Sequence, residues 1–127
     1  MCDKVEDDMN ARENAVQEKS LQFAVRIVKL CRIIRNEKHE YELASQLLRS
    51  GTSIGANISE SKNAQSRNDF INKLNVALKE GDETEYWLTL LYKAEILDKR
   101  SYDFIHADCA ELIRLLTSII KTSKDVY

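Results

Sequence analysis

FINKLNVALKEGDETEYWLTLL, Phe70 to Leu91, is the stretch on which the fold turns. Phe70, Leu74, Ala77, Gly81, Thr84, Leu88 and Leu91 recur at alternating spacings of four and three across three heptads. Residues three and four apart share one face of an α-helix. A stripe this narrow and this regular is the seam of an antiparallel bundle rather than a half-buried strand. Just upstream, Ser66 and Asp69 fit a capping box, so a helix is expected from there to about Leu97.

The same spacing recurs on both sides. Downstream, Ile105, Cys109, Leu112, Leu116 and Ile119 repeat it after a turn at 97–101, with Ser101 a candidate N-cap. Upstream, Leu43, Leu47, Ile54 and Ile58 mark a helix over Tyr41 to Asn63, with Ala44, Leu48, Gly51 and Gly55 beside them. A first helix spans Ser20 to Asn36, and 36–40 reads as its connection to the second. Its apolar positions, Leu21, Phe23, Ala24, Val25, Ile27, Val28, Leu30, Cys31 and Ile34, cover more than half the wheel. One buried side needs an arc of only about 100° or somewhat more, so this helix is expected to meet neighbours on two sides.

The chain is 127 residues long, 43% hydrophobic and 31% charged, with three glycines and no proline, a composition poor in the turn residues of β proteins. The expected architecture is all-α, an up-down-up-down four-helix bundle over 16–125, with 1–15 read as a polar, acidic, disordered tail. The tail lacks the apolar core of a signal peptide, and no apolar run approaches a membrane span. Three scattered cysteines, Cys2, Cys31 and Cys109, suit buried or inert thiols in a reducing, cytoplasmic setting better than a disulfide framework.

The motifs of chemistry are thin. A di-iron bundle needs Glu-x-x-His pairs, and neither His39 nor His106 follows a glutamate by three residues. No strand-turn-helix elbow presents a serine and no Gly-rich loop follows a strand. The expectation is no metal and no cofactor.

The segment RSGTSIGANISES, Arg49 to Ser61, raises a separate question. Gly51 and Gly55 face the bundle, where small residues let backbones approach. On another line of that helix lie Gln46, Arg49, Ser50, Ser53, Asn57 and Glu60. A solvated face ordinarily uses long residues of high helix propensity, whereas Ser and Asn are poor helix formers. Specific polar contacts are therefore expected, and the third helix offers Lys73, Glu80, Glu83 and Trp87 beside its seam. Arg–carboxylate pairs and Trp favour an interface or a structural network. Two carboxylates, Glu80 and Glu83, also admit an acid/base reading. Net charge is −2, against a general polyanion binder, but residues 15–40 are net basic, and Lys19, Arg26 and Lys29 form a candidate nucleic-acid face.

QLLRSGTSIGANISES together with SRNDFINKLNVALKEGDETEYWLTLL resembles the signature of the four-helix-bundle proteins encoded in intervening sequences of 23S ribosomal RNA genes. The resemblance runs from about Ser20 to Lys121. This chain carries Glu60-Ser61 where that pattern has Glu-Ala, and Gly81 where it has Ala. The resemblance implies the bundle and a ring-shaped homo-oligomer, a pentamer. It implies no molecular function. A more distant likeness is to the nucleic-acid-binding accessory protein of diversity-generating retroelements, whose relatives are strongly basic. The functional expectation is a non-catalytic, self-associating interaction or scaffold module. The alternative is an oligomer that binds RNA or DNA.

Overall fold

A computed structural model describes the backbone of residues 2–126. Four helices follow one another: α1 (Cys2–Lys38), α2 (Tyr41–Ser61), α3 (Arg67–Lys93) and α4 (Lys99–Val126). Contacts join α1 to α2, α2 to α3, α3 to α4 and α4 back to α1. With connections this short, consecutive helices run antiparallel, and the four close an up-down-up-down bundle.

The seam read from the sequence is the core. Leu74, Ala77, Gly81, Thr84, Leu88 and Leu91 of α3 are all buried, with only Phe70 at the end part-exposed. Ile105, Cys109, Leu112, Leu116 and Ile119 of α4 are buried against them. Leu47, Ile54 and Ile58 of α2 and Phe23, Ile27 and Ile34 of α1 complete one continuous cluster. The hydroxyls of this interior mostly turn back on their own helices. Thr84 Oγ1 donates to Glu80 O at 2.7 Å and Ser20 Oγ to Gln17 O at 2.9 Å. Ser123 Oγ is buried without a partner among the described residues.

α1 departs from the sequence reading. It begins at Cys2 rather than near Ser20, so residues 2–15 are helix and not a disordered tail. Met9 and Val16 continue the buried stripe at a spacing of seven, and the Arg12 guanidinium donates to Ser118 Oγ (3.0 Å) and Thr122 Oγ1 (3.3 Å) on α4. Two apolar residues and one arginine, spread over an otherwise acidic stretch, carry too weak a period to read, yet they suffice once α4 lies alongside.

The caps also differ in detail. Ser66 caps α3 as expected, its Oγ accepting from Asp69 N–H at 3.0 Å, but in return Asp69 Oδ2 accepts from Gln65 N–H at 3.1 Å rather than from Ser66 N–H. Ser101 does not cap α4. Asp98 does, its Oδ1 accepting from Ser101 N–H at 2.7 Å, so α4 starts at Lys99. α3 stops at Lys93, short of Leu97. Glu95 adopts φ 64°, and Ile96 N–H and Glu95 N–H bond back to Leu91 O and Tyr92 O. This is a Schellman ending with a non-glycine residue in the left-handed position, which hides it from a search for glycine.

Candidate functional site

Two polar seams flank the apolar core, and they hold eight of the thirteen residues singled out in the sequence. The first runs between α2 and α3. Arg49 Nη1 donates to Glu80 Oε2 at 3.2 Å, and its other terminal nitrogen donates to Glu83 Oε2. Trp87 Nε1 donates to the same Glu83 oxygen at 3.1 Å. Farther along, Lys73 Nζ pairs with Glu60 Oε2 at 3.4 Å. One arginine thus bridges two carboxylates within a single chain, and a tryptophan orients one of them. Both carboxylates are committed to donors, which leaves the acid/base reading without a free acid to act.

The serine line of α2 behaves differently from expectation. Ser53 Oγ donates to Arg49 O at 2.6 Å, Ser50 Oγ to Leu47 O at 3.4 Å, and Asn57 Nδ2 to Ser53 O at 2.8 Å. These groups satisfy themselves on carbonyls of their own helix and make no cross-helix bond among the described residues. Their value is small size. Gln46 sits exposed beside Tyr41, Glu42 and Ser45 on a shallow depression.

The second seam runs between α1 and α4. Lys19 Nζ pairs with Glu111 Oε1 at 2.7 Å, and Arg26 Nη1 with Asp108 Oδ2 at 2.7 Å. The Arg26 guanidinium also lies 5.5 Å from the centroid of the Phe104 ring. Lys19, through its hydrogen bond and charge, holds the Glu111 carboxyl below its usual range. Lys19 and Arg26 are therefore not an open cationic face, and of the three candidates for nucleic-acid contact only Lys29 remains unpaired among the described residues. The sequence missed this because the compensating acids lie about 80 to 90 residues away on α4.

Beside Arg26 the α1/α4 seam opens into a groove of about 630 Å³, with Leu30, Ile33 and Phe104 in its apolar lining and Lys29 and Arg100 at its rim. Ile33 is 49% exposed and Phe104 62%. Phe104 and Arg100 were not singled out in the sequence. The available signal was an aromatic one position off the Ile105–Cys109 seam. On the same outer side of α1, Leu21 and Val25 are 65% and 45% exposed. The wide apolar arc of α1 is thus split, with Phe23, Ile27, Cys31 and Ile34 covering the core and Leu21, Val25 and Ile33 turned outward.

Cys31 and Cys109 are buried, free thiols that donate to Ala44 O and Gly81 O on neighbouring helices. Burial pushes the Cys31 thiol up to about 11 and the Cys109 thiol up to about 12, the latter helped by Glu85, Asp82 and Asp108. Thiols so far from ionising are poor nucleophiles. Among the described residues no group of three or more His, Cys, Asp or Glu side chains is placed to hold a metal ion, and no helix is long and apolar enough to cross a membrane.

A family model described as 23S rRNA-intervening sequence protein matches residues 12–118. The crystal structure of a protein of unknown function from the S23 ribosomal protein family of Bacteroides thetaiotaomicron is 56% identical, with a TM-score of 0.86 over 87% of this chain and 98% of that one. No curated protein matches the chain.

Proposed function

The chain belongs to the family of 23S rRNA-intervening sequence proteins, and from that premise we propose that it is a non-catalytic helical scaffold that self-associates through the outer face of α1. The observation that carries the reading is the outward half of the α1 apolar arc: Leu21, Val25 and Ile33 stand exposed on one helix, and Ile33 lines a groove with Phe104 of α4. Single exposed apolar residues are ordinary, but three on one helix beside an apolar groove suit an association surface. The polar seams point the same way. Their carboxylates and cations are spent on one another inside the chain, stiffening a bundle rather than building a reactive pocket. The resemblance read from the sequence implies a ring, with five subunits the expected number, and an α1 face left outward by the bundle suits a contact repeated around such a ring.

Light scattering coupled to size exclusion tests this directly. The wild type is expected to run as one uniform oligomer whose mass does not change on nuclease treatment. Val25→Glu places a charge at the centre of the outward face and is expected to shift the mass toward the monomer while helicity stays unchanged. A monodisperse wild-type monomer at micromolar concentration removes the reading. A mass that falls on nuclease treatment promotes the alternative, an oligomer that binds RNA or DNA through Lys29 and Arg100 at the groove.

A further inference from the structure

We propose that the acidic first two turns of α1 in one copy of the chain dock into the basic, apolar α1/α4 groove of a neighbouring copy. The inference deepens the self-association reading and rests on it. Its first element is the arm. Residues 2–8 carry Asp3, Glu6, Asp7 and Asp8 against Lys4 alone. They belong to α1, yet α2 has already ended at Ser61, which lies beside Met9, Asn10 and Glu13. Just after the arm, Arg12 is held by Ser118 and Thr122 of α4. Asp7 and Asp8 are exposed and form no ion pair among the described residues. The arm also lies outside the residues, 12–118, that the family shares.

The second element is the receiving surface. The groove offers an apolar lining of Leu30, Ile33 and Phe104 with Lys29 and Arg100 at its rim, and neither of these two cations makes an ion pair among the described residues. Arg26, paired with Asp108, lies over the Phe104 ring, and Asp103, which also lines the groove, is paired with Lys99. Unpaired cations at the edge of such a groove select an acidic segment. The arm supplies that charge, with Asp7 and Asp8 exposed on it.

The third element is distance. Asp7 and Lys29 are 22 residues apart on one continuous helix, about 33 Å at 1.5 Å per residue, so the arm cannot reach the groove of its own chain. The contact is made in trans. It joins two different patches, and a heterologous contact of this kind propagates until rotation closes it. Carboxylates at a helix N-terminus also stabilise their own helix through the macrodipole. That local role alone would leave assembly untouched, which separates it from the proposal.

The test is a charge swap read by light scattering, with circular dichroism as the check on folding. Lys29→Glu with Arg100→Glu reverses the rim, and Asp7→Lys with Asp8→Lys reverses the arm. Each pair alone is expected to weaken assembly about tenfold or more, because like charges then face one another, and to do so most strongly at low salt. Combining all four substitutions is expected to restore the oligomer. The proposal is overturned if either pair leaves the assembly constant unchanged, or if the combination does not recover it. If Val25→Glu dissociates the oligomer while both charge pairs do not, self-association stands and the arm contact falls; a monomeric wild type removes both. Loss of bound nucleic acid from the rim variant at unchanged mass would assign the groove to phosphate instead and equally overturn the arm contact.

Discussion

Gly51 and Gly55 sit one turn apart on α2, yet the space each faces is different. A Cβ on Gly51 would lie 2.9 Å from Cγ2 of Ile27, a fully buried β-branched residue with little freedom to move. A Cβ on Gly55 would meet the Ser20 carbonyl oxygen at 3.4 Å, an ordinary contact. Glycine inside a helix costs roughly 0.5–1 kcal/mol relative to alanine. Gly55→Ala is therefore expected to stabilise the protein by about 0.5–1 kcal/mol. Gly51→Ala is expected to destabilise it by about 1–3 kcal/mol through overpacking. Urea midpoints of the two variants check the pair, and the same sign for both would contradict the geometry. At this scale the sequence showed that glycine matters here. Which glycine is indispensable depended on the shape of a neighbour on another helix. Ser50 and Ser53, beside and between them, illustrate the same limit: their poor helix propensity was legible, but their bonds to carbonyls of their own helix were not.

The four elements owe their lengths to their ends. Ser66→Ala removes the hydroxyl that accepts from Asp69 N–H and is expected to cost about 1 kcal/mol. Glu95 holds the left-handed position after α3 without being glycine, a conformation that costs an L-residue about 1–2 kcal/mol. Glu95→Gly is expected to return about 0.5–1 kcal/mol of that after the added freedom of the unfolded chain is counted. Thermal melting of both variants, in opposite directions, is the check. Core stripes on α2, α3 and α4 were legible because period and burial coincide there. The start of α1 was not, because Met9, Arg12 and Val16 support a helix only where α4 supplies the other half of each contact.

At the scale of the whole molecule, charge is arranged as seams rather than as a field. Hydrogen bonds from the Ser101 side chain and backbone hold the Asp98 carboxyl below the usual carboxylate range, and Lys19 does the same for Glu111. Groups with depressed folded values contribute stability above the unfolded carboxylate range, about pH 4, and lose it as pH falls through the folded values. Relative to Asp98→Asn with Glu111→Gln, the wild type is expected to be more stable by a constant margin from neutral pH down to that range. The margin should then close in more acid solution. Melting temperature against pH measures it, and a margin that widens on acidification would contradict the assignment. The Arg49–Glu80–Glu83–Trp87 network belongs to this scale as well. Its residue types and faces could be named from the sequence, while its closure within one chain emerged only with α2 packed on α3.

By itself the sequence determined the four helices in outline, the bundle class and most of the core, since a heptad stripe is a local property that one helix displays alone. Its long motifs also pointed to the family. The tertiary structure decided which charges are free. Lys19 and Arg26 looked like an open basic face until Glu111 and Asp108 of α4 arrived beside them, and Lys29, Arg100 and Phe104 became a groove only when α1 and α4 met. Pairing between distant charges is a matter of proximity, and proximity across about 80 to 90 residues of chain is created by folding, not written in spacing.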